Sequence, residues 1–239
     1  MAFEQLITHR VRMGIFSGLA LAALGIAWLG TWTDVDVALA NAMYDAERHV
    51  FPWRHTWLAE TFGHVILKAL LTCAGGLAIL AVSWDLLRPL RRWDNAMRLR
   101  ARVIACSALA VPLVTSLLKQ VSASHCPWDL ALYGGTEPYV RLFDALPLGM
   151  LAGHCLPAGH ASSALWLVAI GVFWLPHSPR KAFAASACGL AAGFALGWLQ
   201  QLRGAHFLTH TLWSMWIACA VVVAAITILQ PRLAPEVAG

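Results

Sequence analysis

Charge is what this sequence has least of. Only 12% of its 239 residues are Asp, Glu, Lys or Arg, about half the share of a soluble domain. That excludes a water-soluble globule, because too little polar surface remains to cover one. No internal repeat, low-complexity tract or separate polar domain breaks the chain, so solenoids and long disordered linkers are excluded as well. No A-x-A-type cleavage site stands soon after the first apolar run, so that run reads as a retained helix rather than a signal peptide. The net charge of +5 does not point to nucleic acid. Arg88, Arg91, Arg92, Arg98, Arg100 and Arg102 crowd into one stretch between two apolar runs, the pattern of a loop held on the cytoplasmic side.

What the sequence does have is apolar residues, 59% of the chain, gathered into runs at about residues 14–32, 62–84, 103–118, 157–175, 182–202 and 207–229. Each run is close to the roughly 20 residues that cross a bilayer as a helix. Helix is the form that satisfies every backbone group inside lipid. The expected fold is all-α: a single membrane domain over residues 1–239, a bundle of six transmembrane helices. Twelve Trp, many near run ends, fit interfacial anchors. Eleven of the seventeen Lys and Arg fall on the N-terminal tail, the Arg-rich loop, Arg180 with Lys181, and Arg232. Both termini are therefore expected in the cytoplasm, with connections 33–61, 119–156 and 203–206 facing outward. The first of these alternates Val35, Val37, Leu39, Met43 and Val50 with polar residues and reads as a periplasmic amphipathic helix lying on the membrane. The second, rich in Gly, Pro and aromatics, reads as a functional loop.

Three polar clusters stand at the outer ends of three helices: Lys119–Asp129 (KQVSASHCPWD), Gly153–His160 (GHCLPAGH) and Arg203–His210 (RGAHFLTH). Polar groups near lipid are costly, so their convergence at one depth reads as a functional site. In Pro157-Ala158-Gly159-His160 the proline opens a helix at no cost, and small Ala158 and Gly159 let a ligand approach the backbone. Free N–H groups and the helix dipole then favour an anion beside His160. The plain alternative is a loop-to-helix junction with an interfacial histidine. His206 and His210 are four residues apart and share a helix face, with Arg203 one turn earlier. That grouping suits an oxyanion; the plain alternative is a snorkelling Arg with two packing histidines.

On these residues the sequence resembles the phosphatidic acid phosphatase type 2 superfamily of membrane lipid phosphatases. The family pattern is K-x6-R-P, P-S-G-H and S-R-x5-H-x3-D on three outer connections of a six-helix bundle. Here the first motif reads Lys119 to Cys126-Pro127, the second Pro157-Ala158-Gly159-His160, and the third Gln200, His206 and His210. The sequence departs from the pattern at Cys126, Ala158, Gln200 and His210, which stand where the family has Arg, Ser, Arg and Asp. The resemblance implies cleavage of a lipid phosphomonoester or diphosphate through a phosphohistidine at the outer face, and the small size and lack of eukaryotic sorting features point to a bacterial inner membrane. Lipid A, undecaprenyl diphosphate and phosphatidyl phosphates are the substrate types that fit. It implies His206 as nucleophile, His160 as the acid for the leaving oxygen, and His210 as partner of the nucleophile. Lys119 and the Gly159 N–H would hold phosphate, with Ala158 and His125 beside them and Arg203 in place of the lost Arg. Asp129, Asp144 or Glu137 is expected to assist from the long loop in place of the lost Asp. The expected partners are the lipid substrate and membrane lipids, without nucleic acid, metal or other cofactor, and the oligomeric state stays open.

Cys73, Cys106, Cys188 and Cys219 lie within spans and read as small apolar residues. Cys126 and Cys155 are the two on the outer side, where the compartment is oxidising, and a disulfide between them is expected to clamp the long loop. The alternative is two free thiols. Glu60, His64 and Lys68 step by four along the second run and support either the substrate pocket or an internal ion pair. Three other functions stay open. One is phosphotransfer from lipid to lipid. Another is a non-catalytic lipid-binding protein. The third is a metal site at His206 and His210, joined by His125, His154 or His160. The last lacks the usual glutamate, since Phe207 follows His206.

Overall fold

The computed structural model describes residues 5–230; Arg232, assigned above to a cytoplasmic tail, lies outside them. The described residues form seven helices: α1 (His9–Trp32), α2 (Val35–Met43), α3 (Trp57–Leu87), α4 (Asn95–Gln120), α5 (Gly159–Trp174), α6 (Pro179–Leu202) and α7 (Leu208–Leu229). No strand occurs among the described residues. Side chains start several helices where expected: Thr8 accepts from the Val11 N–H at 3.3 Å, Asp94 from Met97 at 2.7 Å, and Pro179 opens α6.

Helices α1, α3, α4, α6 and α7, five in all, are long and apolar enough to cross a membrane, which makes this a multi-pass membrane protein. Their outward faces carry large apolar side chains such as Leu21, Leu24, Leu77, Leu80, Phe183 and Ile228. In water such a belt would be a liability; in lipid it is the solvent-facing side. Exposed Trp28, Trp32, Trp57 and Trp84 sit at helix ends. The sixth run differs from the other five: α5 has seven residues of α-helix followed by nine of 3-10 helix. The first part of α3, Trp57–Leu67, is a π-helix. Its wider turn moves residues four apart off a common face, so Glu60, His64 and Lys68 do not form one straight stripe.

The core runs between α4, α5 and α7, through Val103, Val111, Leu165, Val172, Ala218 and Val222. Helix α6 joins it through Gly189, Gly193 and Gly197, spaced by four. A Cβ on Gly193 would lie 2.1 Å from Leu165, and one on Gly197 2.3 Å from Thr211. Small residues at that spacing let helices pack backbone to backbone where no hydrophobic force drives them together.

The connection 33–61 corrects the expectation of a surface amphipathic helix. Between α1 and the start of α3 at Trp57, only the nine residues of α2 are helical, and they pack onto the end of the bundle. Asp36 is 4% exposed. Its carboxylate accepts the Thr209 N–H at 3.0 Å and also bonds the Thr209 hydroxyl. These donors at the start of α7 turn the polar side of α2 inward, where a membrane-lying helix would turn it out. The Tyr133 hydroxyl donates to Asn41 Oδ1 at 2.9 Å, and the Tyr44, Phe51 and Tyr133 rings pack tilted and edge-on beside it.

Candidate active site

Three connections meet at one end of the bundle. Residues 122–126 and 153–156 run side by side: Gly153 N–H donates to Ala123 O at 3.1 Å, His154 to Ser122 O at 3.1 Å, and Cys155 to Ser124 O at 2.9 Å. A Cβ on Gly153 would fall 2.5 Å from the His125 backbone, so glycine permits the approach. Cys126 and Cys155 are bonded as a disulfide, Cα to Cα 5.3 Å. The end of α4 is thus fastened to the approach to α5. Two further bonds tie α5 to α7: Ala158 N–H to His210 O at 3.1 Å, and Ser214 hydroxyl to Ala158 O at 3.0 Å. The third connection is pinned at Gly204, whose O accepts the Trp128 N–H at 3.0 Å. Gly204 has φ +73°, and a Cβ there would meet the Phe51 ring at 2.3 Å; no other residue suits that turn.

This scaffold fixes two histidine pairs. His206 and His210 are both 3% exposed, with their Nδ1 atoms 3.4 Å apart. In the tautomer in which His206 Nδ1 donates and His210 Nδ1 accepts, the Nε2 of His206 keeps its lone pair for bond formation. The Cys155 sulfur lies 3.4 Å from His206 Nδ1. Burial, and then the proximity of His210, Lys119 and His160, holds the His206 imidazole well below its ordinary range. It is neutral, hence nucleophilic, at pH 7. In the second pair His160 stacks on His64, ring centroids 3.8 Å apart. His160 Nε2 is buried with no hydrogen-bond partner among the described residues, the condition of a group that waits for a ligand.

His160 opens onto a cavity of about 590 Å³ between α3, α4 and α5. Lys68, Lys119, Gly159 and His160 line its polar end. Leu71, Ile79, Leu109, Leu113 and Trp166 line the rest. A Cβ built on Gly159 meets nothing within 4 Å, so a ligand can reach the backbone there. The combination can grip an anion at one end and an apolar chain at the other.

The other expected residues go elsewhere. Arg203 is buried and already engaged: Nη1 donates to Gln200 Oε1 at 3.1 Å, Nε to Arg54 O at 3.0 Å, and Nη2 pairs with Glu60 at 3.6 Å. Ala158 is fully buried, and its N–H is taken by His210. His125 Nε2 donates to Leu151 O at 3.0 Å. Asp129 lies beside His125 and Arg54, and burial pushes its carboxyl up. No contact of Asp129, Asp144 or Glu137 with His206 or His210 is present among the described residues. The buried carboxylate near that pair is Asp36. It shares a small cavity with His210 and holds the first turn of α7. The sequence signal was a lone Asp between valines, which by itself reads as surface. Cys126, Cys155 and His206 group closely, but the joined sulfurs offer a metal no thiolate.

A family model described as the PAP2 superfamily matches residues 100–234, the part that carries Lys119, His160, His206 and His210. Searches of curated proteins and of solved structures returned no match.

Proposed function

The chain belongs to the PAP2 superfamily, whose members are generally phosphatases, and on that premise we propose that it is a membrane lipid phosphatase. Its substrate is a lipid phosphomonoester or diphosphate, cleaved through a phosphohistidine on His206. The observation that carries this reading is the two-ended cavity, cationic at Lys68 and Lys119 and apolar beyond. A soluble phosphate ester would have no use for the apolar part. His206 attacks phosphorus while Lys119 and the Gly159 N–H offset charge on the equatorial oxygens. His160 supplies the proton to the leaving oxygen. Water then attacks phosphohistidine and releases phosphate. His210, bonded to the nucleophile, orients it in the role that a carboxylate fills in the family pattern.

We read α5 as a sixth span. A 3-10 helix rises faster than an α-helix, so its two parts together reach about 29 Å, close to the roughly 30 Å hydrocarbon core. We place the site at the outer face of a bacterial inner membrane with both termini inside. The Arg-rich stretch 88–102 lies at the opposite end from the histidines, which favours that end as cytoplasmic. The disulfide at the histidine end favours an oxidising compartment there.

The test is a phosphate-release panel: purified protein against several lipid monophosphates and diphosphates, wild type beside His206→Ala. Release by the wild type and loss by about 10³-fold or more in the variant is the expected result. Release from none of them, or equal release by both, contradicts it and favours a lipid-binding role. Adding an acceptor lipid and finding the phosphate moved to it would make the enzyme a phosphotransferase.

A further inference from the structure

Lys68 is the first residue of the regular α-helical part of α3, set within a span. A lysine at such a place faces a partner or a polar cavity. The partner expected along its own helix is not available: Glu60 holds Arg203 at 3.6 Å and His55 at 3.3 Å. Lys68 has no ion pair among the described residues. It lines the cavity with Lys119 and His160, and no Asp or Glu lines it with them. Two ammonium groups with no ion pair among the described residues therefore face one space, whereas the nearby guanidinium of Arg203 is engaged with Glu60.

The two lysines hold different stations. Lys119 is the lysine whose charge acts on both His206 and His210. Lys68 follows His64 by four residues on α3, and His64 is the residue whose ring packs on His160. Lys68 enters the cavity from α3, beside the His64–His160 pair, and Lys119 from the end of α4. A phosphoryl group on its way to His206 meets Lys119. Whatever departs past His160 meets Lys68.

A phosphomonoester loses an alcohol. Once protonated by His160 that product is neutral and gives Lys68 nothing to hold. A diphosphate loses a lipid monophosphate, which is anionic and suits an ammonium group. Resting on the phosphatase reading above, we propose that Lys68 forms a subsite for the leaving phosphate and that the preferred substrate is a lipid diphosphate. His206 Nε2 bonds to the terminal phosphorus, and the bond from that phosphorus to the bridging oxygen breaks. The bridging oxygen keeps the electron pair, receives the proton of His160, and departs as lipid monophosphate held by Lys68. Water next attacks the phosphohistidine, His160 takes its proton, and inorganic phosphate leaves with His206 restored.

The experiment measures kcat/KM of the full-length protein in detergent for farnesyl diphosphate and farnesyl monophosphate, which share a tail. Wild type is expected to prefer the diphosphate. Lys68→Gln lowers the diphosphate-to-monophosphate ratio by about 10- to 100-fold, the worth of a charge-assisted hydrogen bond. Lys68→Arg restores most of it. An unchanged ratio in Lys68→Gln, or a wild type that prefers the monophosphate, overturns the subsite while leaving the phosphatase reading standing. Wild type that releases phosphate from neither substrate overturns both.

Discussion

The first hundred residues and the rest of the chain contribute to the site in different ways. The part that matches the PAP2 superfamily, residues 100–234, holds the groups proposed to touch phosphorus: Lys119, His160 and His206. The part before it holds groups that shape them. His64 stacks on His160, Glu60 holds Arg203, Asp36 anchors the start of α7, and Lys68 faces the cavity. The family motif lost polar partners at Cys126, Ala158, Gln200 and His210, and a disulfide, a neighbouring histidine and three residues of α3 stand around those positions instead. A reaction that needs only placement and charge tolerates such relocation, because phosphate does not register which helix a cation comes from.

Substitutions across the two parts sharpen this contrast. After His206→Ala, the largest expected effect is His160→Ala, with kcat falling by about 10²- to 10⁴-fold through loss of the general acid. His64→Ala should cost about tenfold, and His64→Phe, which keeps a stacked ring, should recover most of that. Equal losses for His160 and His64 in steady-state assays would place chemistry, not support, on α3. Next comes the clamp within the matched part. Replacing Cys126 and Cys155 together by Ser should lower stability by about 2–4 kcal/mol, read by thermal unfolding in detergent. A variant as stable and active as wild type would show that the hydrogen bonds of 122–126 with 153–156 suffice alone.

Asp36→Ala should destabilise by about 1–3 kcal/mol, because the Thr209 N–H and hydroxyl lose their acceptor. The sign with pH is distinctive. Burial raises the Asp36 carboxyl above its ordinary 3.8, so the native state keeps the proton to higher pH than the unfolded chain. Its contribution is fullest below that ordinary value and declines as pH rises through the raised one. Asp36→Asn keeps an acceptor for Thr209 without the charge, so it should flatten that decline and match or exceed wild type near pH 7. Unfolding midpoints from pH 4 to pH 8 check this; a slope unchanged in Asp36→Asn would assign the pH dependence elsewhere.

The apolar runs were legible because the bilayer imposes their length, and five reappear as helices long enough to cross it. The π and 3-10 parts of α3 and α5 were not. In a run apolar on every side, hydrophobic periodicity does not distinguish hydrogen bonds to i−3, i−4 and i−5. At the site, the spacing of Lys119, His160, His206 and His210 showed which elements had to converge. The fate of Arg203 was hidden, since Glu60, which pairs with it, lies far away in sequence. Asp36 was hidden for the same reason: Thr209 is 173 residues away, and Val35-Asp36-Val37 alone resembles a surface helix. Lys68 was visible as a costly charge in a span, but its neighbours were set by the π-helix before it.

The central claim is that phosphorus bonds to His206. Protein mixed with farnesyl diphosphate labelled in its terminal phosphate, then quenched in alkali within one turnover, tests it directly. The expected result is protein-bound label that survives base, is lost in acid and is absent from His206→Ala. A wild type that turns over the substrate without ever carrying label, or a His206→Ala protein that still carries it, would contradict the account.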